Sequence, residues 1–170
     1  MADESLKELL FGRQPLLKVF VSSQMRGPRI MAERRAAVDA IESTGLATAW
    51  HWERDARAGP YSAREVCIEH AAASDGLVLI LAGRLTTVTK AEYTAARRAS
   101  VPRYILLREG VHRNADARRF VRQQQNSSVT RSFRNTSELK THIGNALKHN
   151  AVQAVRRDIH RRRAARGGVN

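Results

Sequence analysis

The sequence predicts an α/β protein: a parallel sheet of four to five strands with helices on both faces. Three observations point there. Short, almost wholly apolar runs recur along the chain, as in strands buried on both faces. Between them lie longer segments whose apolar residues follow a helical period. Gly, Pro and Ser mark the boundaries. Strands alternating with helices in this way build parallel sheets with crossover helices.

Taken in order, Ser5 to Phe11 is expected to form a short leading helix. Leu16 to Val21 reads as the first strand, ending in Ser22-Ser23. After Gly27-Pro28, a helical face runs through Ile30, Arg34 (by its aliphatic stem), Ala37, Val38 and Ile41, and Gly45 stops it. Leu46 to Trp52 is a second strand, supported by its aromatic residues. Arg54 to Tyr61 reads as a loop. Ser62-Ala63-Arg64-Glu65 is a capping box, opening a helix to about Ser74. Gly76 to Ala82 is the clearest buried strand. A helix from Thr89 to Ala99, a strand at Arg103 to Leu107, a helix at Arg113 to Gln125 and a fifth strand at Ser128 to Phe133 follow. The last helix starts near Asn135 and carries Leu139, Ile143, Ala146 and Leu147. It is expected to continue through Val152, Val155 and Ile159 and to fray in its final turns. One domain over residues 1–150 and a basic extension over 151–170 result.

A length of 170 residues suits one domain, and 42% hydrophobic with 27% charged residues is a globular balance. The lone Cys67 excludes an internal disulfide and points to a reducing compartment. The segment Met1 to Ser5 lacks the basic-then-apolar order of a signal peptide. No apolar run approaches the roughly 20 residues of a membrane span. The expectation is a cytoplasmic protein without membrane contact. The net charge is +14. Six arginines (Arg156, Arg157, Arg161, Arg162, Arg163 and Arg166) and one aspartate, Asp158, account for five of those charges and leave nine elsewhere. Such a field attracts polyanions, and the arginine tail is a candidate surface for nucleic acid or an acidic partner. It lacks interleaved aromatics, so base stacking is not indicated.

In open parallel sheets, ligands bind at the carboxyl ends of strands where connections diverge. That rule selects Ser22, Ser23 and Arg26 after strand one, Trp52 and Glu53 after strand two, and Arg84 with Glu92 and Tyr93 after strand three. Hydroxyls, backbone N–H groups and a guanidinium at Ser22-Ser23-Arg26 suit phosphate or ribose, although no glycine-rich phosphate loop is present. Glu92 has two readings. Thr89-Lys90-Ala91-Glu92 fits a capping box, with Glu92 folding back onto Thr89. Alternatively, its carboxylate stabilises or traps an oxocarbenium-like sugar as a C–N glycosidic bond breaks. Cys67, among apolar neighbours in a helix, reads as a buried structural thiol. The six histidines have no metal-ligand spacing, so neither metal nor resident cofactor is expected.

Several segments taken together resemble a known family. Lys18-Val19-Phe20-Val21-Ser22-Ser23, Met25-Arg26-Gly27 and Arg34 to Glu42 resemble the opening of a bacterial Toll/interleukin-1-receptor-like (TIR-like) family whose members begin with an FVSS strand. The similarity continues through Glu53, Ala56, Ser62 to Cys67, Ser74-Asp75 and Thr89-x-x-Glu92-Tyr93-x-x-Ala96. Gly110-Val111, Phe120-Val121 and Ser137-Glu138-Leu139 extend it, so that it spans roughly residues 17–148. It departs at Arg84-Leu85-Thr86, where Arg-Tyr-Gly is usual.

The resemblance implies a flavodoxin-like sheet and kinship with TIR domains and nucleoside 2-deoxyribosyltransferases. These cleave N-glycosidic bonds in NAD or nucleosides with a glutamate early in the helix after the third strand, the position of Glu92. It also implies self-assembly or a partner protein. The leading expectation is a nucleotide-directed glycosidase or ribosyltransferase. Glu92 acts at the anomeric carbon; Ser22, Ser23, Arg26 and Arg84 bind phosphate or ribose; Trp52 and Tyr93 pack on a base. NAD is then a substrate. The rivals are a non-catalytic interaction module and a nucleotide sensor without turnover.

Overall fold

A computed structural model describes residues 16–167; the expected leading helix lies outside them. The elements are β1 (Leu17–Ser23), α1 (Pro28–Glu42), β2 (Ala47–Trp50), α2 (Trp52–Asp55), α3 (Ala63–Ala72), β3 (Gly76–Leu81), α4 (Thr87–Arg98), β4 (Arg103–Arg108), α5 (Ala115–Gln125), β5 (Thr130–Phe133) and α6 (Thr136–Gly167). All five strands pair in parallel in the order β2-β1-β3-β4-β5. This is the flavodoxin-like order, and its direction reverses between β1 and β3.

Strand side chains alternate between faces, and the two sides of the sheet accordingly have separate cores. Val19 and Val21 of β1, Val78 and Ile80 of β3 and Leu106 of β4 pack against α1 and α6 through Ala37, Ile41, Leu139 and Ile143. Phe20, Leu77, Leu79, Leu81, Ile105 and Leu107 face α3, α4 and α5, meeting Cys67, Ala71, Tyr93, Ala96 and Phe120. Continuing the alternation sends Ser22 toward α4 and Ser23 toward α1. Both serines lie inside β1, which therefore reaches two residues beyond the apolar run that marks it.

Local chemistry explains the boundaries. Gly27 precedes α1 at φ 104°, a backbone region that side chains disfavour, and Pro28 supplies the first helical residue. The Ser62–Glu65 capping box opens α3, with both reciprocal bonds formed. The expected loop after β2 begins with the one-turn helix α2, where the Asp55 carboxylate accepts from the His51 N–H at 2.9 Å.

Helix α6 is continuous over 32 residues, through the turns expected to fray. Its first half is anchored by Leu139, Ile143 and Leu147, and Asn150 donates to the Tyr104 hydroxyl at 2.7 Å. Tyr104 sits near the start of β4, so the remainder of α6 leaves from the amino edge of the sheet.

Candidate functional site

The carboxyl ends of β1 and β3, where the sheet order reverses, open into a cavity of about 410 Å³. Phe20, Val21, Met25, Trp50, Trp52 and Val88 give it apolar walls; Ser23, Arg26, Arg34, Thr86, Thr89 and Glu92 bring polar groups to it. Mostly apolar walls with a few convergent polar groups are the usual make-up of a small-molecule site.

Glu92 is 5% exposed and accepts a hydrogen bond from the Ser22 hydroxyl at 2.5 Å. It does not cap its helix. Thr86 is the N-cap of α4, its hydroxyl accepting from the Thr89 N–H at 3.1 Å and donating to the Thr89 hydroxyl at 2.8 Å. The N-cap thus lies three residues earlier than the Thr89-x-x-Glu92 spacing suggests. Glu92 falls in its second turn, on the face that meets the sheet. The capping reading is corrected accordingly.

Burial pushes the Glu92 carboxyl above its ordinary range, while the Ser22 hydroxyl, the Arg34 charge and the Cys67 thiol act in the opposite sense. Cys67 is 3% exposed, and burial, followed by the Glu92 charge, pushes its thiol up to about 12. A thiol so protonated is a poor nucleophile. Cys67 is buried, as expected, yet it also lines the cavity.

The polar residue of the site that the strand-end rule does not select is Arg34. It is 3% exposed and forms a bidentate pair with Glu53, Nε to Oε1 at 2.6 Å and Nη2 to Oε2 at 2.9 Å. Its Nη1 donates to the Ser23 hydroxyl at 2.8 Å. Burial disfavours the charge on Glu53, but the hydrogen bonds and charge of Arg34 outweigh it and hold the carboxyl at about 2. Glu53 therefore serves Arg34 rather than lining the cavity. An arginine on the otherwise apolar face of a helix was the available signal, since a buried guanidinium requires a partner.

Ser22, Ser23, Arg26, Trp52 and Glu92 come together as expected, with Ser22 beneath Glu92 and Ser23 on the cavity wall. Arg84 is exposed on the β3–α4 connection and is not part of the lining. Tyr93 is turned away from the cavity and cannot stack on a base there. It is 3% exposed, donates to Gln124 Oε1 at 2.5 Å, and meets Phe120 edge-on at 4.9 Å. One residue along a helix is a rotation of about 100°, and that separates Tyr93 from Glu92. Trp50, stacked at 4.9 Å on Phe20, supplies the aromatic wall beside Trp52.

Arg156, Arg157, Arg161, Arg162 and Arg163 are exposed on the distal part of α6, at the amino edge of the sheet and opposite the cavity. The Arg166 side chain lies outside the described residues. Among the described residues, no group of three or more His, Cys, Asp or Glu side chains could hold a metal ion. No helix among them is long and apolar enough to cross a membrane.

A conserved protein from Enterococcus faecalis V583 superposes with a TM-score of 0.53 at 14% identity, covering 78% of this chain and 99% of that one. The Flv1 flavodiiron core from Synechocystis sp. PCC6803 gives 0.49 at 15% identity, over 87% of this chain and 39% of that longer one. A flavodoxin-like domain from Synechococcus sp. gives 0.45 at 14% identity, over 78% and 98%. At such identities likeness extends to the fold alone. No curated protein matches the chain in sequence. The model of one family, described as a domain of unknown function (DUF4062), matches residues 18–162, and the chain belongs to that family.

Proposed function

We propose that the protein is a nucleotide-directed N-glycosidase, cleaving NAD or a nucleoside, with Glu92 as its catalytic carboxylate. The observation that carries this reading is the setting of Glu92. It is buried at the carboxyl edge of the sheet, held by Ser22, and free of any capping duty. A carboxylate removed from water is costly in the ground state. It becomes favourable when positive charge develops beside it, and catalysis rests on that difference.

In the proposed reaction the C–N bond breaks and its electron pair leaves with the base. The anomeric carbon gains oxocarbenium character, which Glu92 stabilises directly or captures as a glycosyl ester. Water then adds its oxygen to that carbon and releases a proton. With NAD the leaving nicotinamide is neutral and needs no proton from the protein. The Ser22 O–H and the Arg34 charge favour the ionised carboxylate that this step requires. Trp52 offers an apolar face for the base, and Ser23 and Arg26 polar contacts for ribose or phosphate. The TIR-like resemblance supports the same chemistry, and the lone free Cys67 supports a reducing, cytoplasmic setting.

The test is chromatographic detection of nicotinamide after incubating concentrated protein with NAD, beside Glu92→Gln. Release by the wild type alone assigns the activity and the residue. No release from NAD or from nucleosides at high protein concentration overturns the reading. High concentration matters because the resemblance implies self-assembly, and an activity that needed it would be lost on dilution.

A second reading draws on α6. Its exposed arginines, with Val152, Val155 and Ile159 also 41–59% exposed, suit an interaction module recruiting an acidic protein or nucleic acid. Salt-sensitive binding that disappears on deleting residues 156–166, with an unliganded cavity, favours this alternative.

A further inference from the structure

We infer a second ligand site, specific for a phosphate-class anion, formed by Arg113, Arg118 and Arg122 beside the β4–α5 connection. It goes beyond the glycosidase reading, and its pyrophosphate test does not depend on that reading. The three arginines, with His112, Val111 and Val121, surround a depression of about 330 Å³ that has no carboxylate in its lining. Among the described residues, none of the three arginines forms an ion pair.

Two of them, Arg113 and Arg118, are restrained by neutral acceptors. Arg113 Nη2 donates to the Arg108 carbonyl at 2.5 Å, and Arg118 Nη1 to the Arg113 carbonyl at 2.7 Å. Backbone carbonyls orient the guanidinium groups without neutralising them, so their charge remains available to a ligand. Arg113 Nε is buried and has no hydrogen-bond partner. Arg118 and Arg122 stand one turn apart on α5, a like-charge spacing that costs stability unless an anion offsets it. The helix N-terminus is not the site, because Asn114 already accepts from the Ala117 N–H at 2.9 Å and Asp116 follows in the first turn.

The connection carrying Arg113 is fixed to the rim of the sheet. The Asn114 N–H donates to the Gly83 carbonyl at 3.0 Å. A Cβ on Gly83 would lie 2.8 Å from the His112 carbonyl, so the two connections meet backbone to backbone. The arginines are thereby held on a rigid support, and forked guanidinium donors match the oxygens of phosphate and pyrophosphate.

The probe is pyrophosphate, titrated calorimetrically at low ionic strength against the wild type, Arg118→Gln/Arg122→Gln and, as a control for overall charge, Arg156→Gln/Arg157→Gln. We expect a Kd at least about tenfold weaker for the first variant and little changed for the control. Equal weakening in both, or in neither, overturns the inference. Both variants change exposed helical residues, and Arg113→Met, which is half-buried, is added with circular dichroism as a folding check. NAD binding to Glu92→Gln then identifies the source of the anion. Weaker NAD binding in the Arg118→Gln/Arg122→Gln background makes it the phosphate of the same ligand. Unchanged NAD binding with weakened pyrophosphate makes it a separate free phosphate-class ligand.

Discussion

Glu92 and Glu53 both feel the Arg34 charge but shift in opposite directions, which makes each testable. Burial raises Glu92. Its folded state therefore favours the neutral acid, and that contribution is full below the ordinary carboxylate pKa and lost as pH rises through the raised value. Glu92→Gln should melt above the wild type at pH 7, the gain vanishing as pH falls through the ordinary carboxylate range, while nicotinamide release is abolished. The same raised pKa places the acid limb of the activity profile above the ordinary carboxylate range, since the ionised form is the one required. Glu53 has the reverse sign. Held at about 2 against an ordinary 4.5, it contributes stability above pH 4.5 that is lost as pH falls toward 2. Acid melts of Arg34→Met should lack that limb, and the variant should be less stable at pH 7 by about 1–3 kcal/mol, because Ser23 and Glu53 lose their partner. Tyr93→Phe should cost about 1 kcal/mol by unpairing Gln124 and leave nicotinamide release intact. A loss of activity in that variant would place Tyr93 in the site after all.

Helix α4 is the element on which the reading of the site turned. Thr-x-x-Glu at 89–92 is a capping-box pattern, and Thr86 is a second residue of N-cap type in the same stretch. Sequence spacing cannot rank two overlapping caps. The sheet does so, because starting the helix at Thr87 places Glu92 over Ser22. Thr86→Ala should thus destabilise the fold by about 1 kcal/mol in a denaturant melt, whereas Thr89→Ala leaves the backbone cap in place and should cost less. The strands were readable because their centres are apolar on both faces, as in Leu77 to Leu81. The polar continuation of β1 through Ser22-Ser23 carried no such signal. The single turn of α2 was too short for any period to show. Arg34 was visible as a residue on a helical face, but its partners Glu53 and Ser23 come from separate strand ends, and only the parallel register brings them together.

At the scale of the whole molecule, the two strongly basic features occupy opposite edges of the sheet. The cavity and the Arg113–Arg118–Arg122 cluster share the carboxyl edge, and the distal arginines of α6 project from the amino edge. Ligands of the carboxyl edge and a partner of α6 should therefore bind independently. Saturating pyrophosphate should leave the salt-dependent affinity of the α6 arginines for an acidic partner unchanged, measured by fluorescence anisotropy. The sheet order that creates the cavity was legible from the alternation of elements and the family resemblance together, whereas the Arg113 cluster is assembled by a loop whose course no pattern specifies. That course depends on Gly83, where the chain after β3 meets the His112 carbonyl without room for a side chain. Position 83 consequently limits how the protein can diverge. Neither connection can be lengthened or repositioned alone without parting the pair. Substitutions that remodel the pocket rim should survive selection only in combinations drawn from both loops, and a library randomised at residues 83–86 and 109–114 together should yield folded variants that either library alone does not.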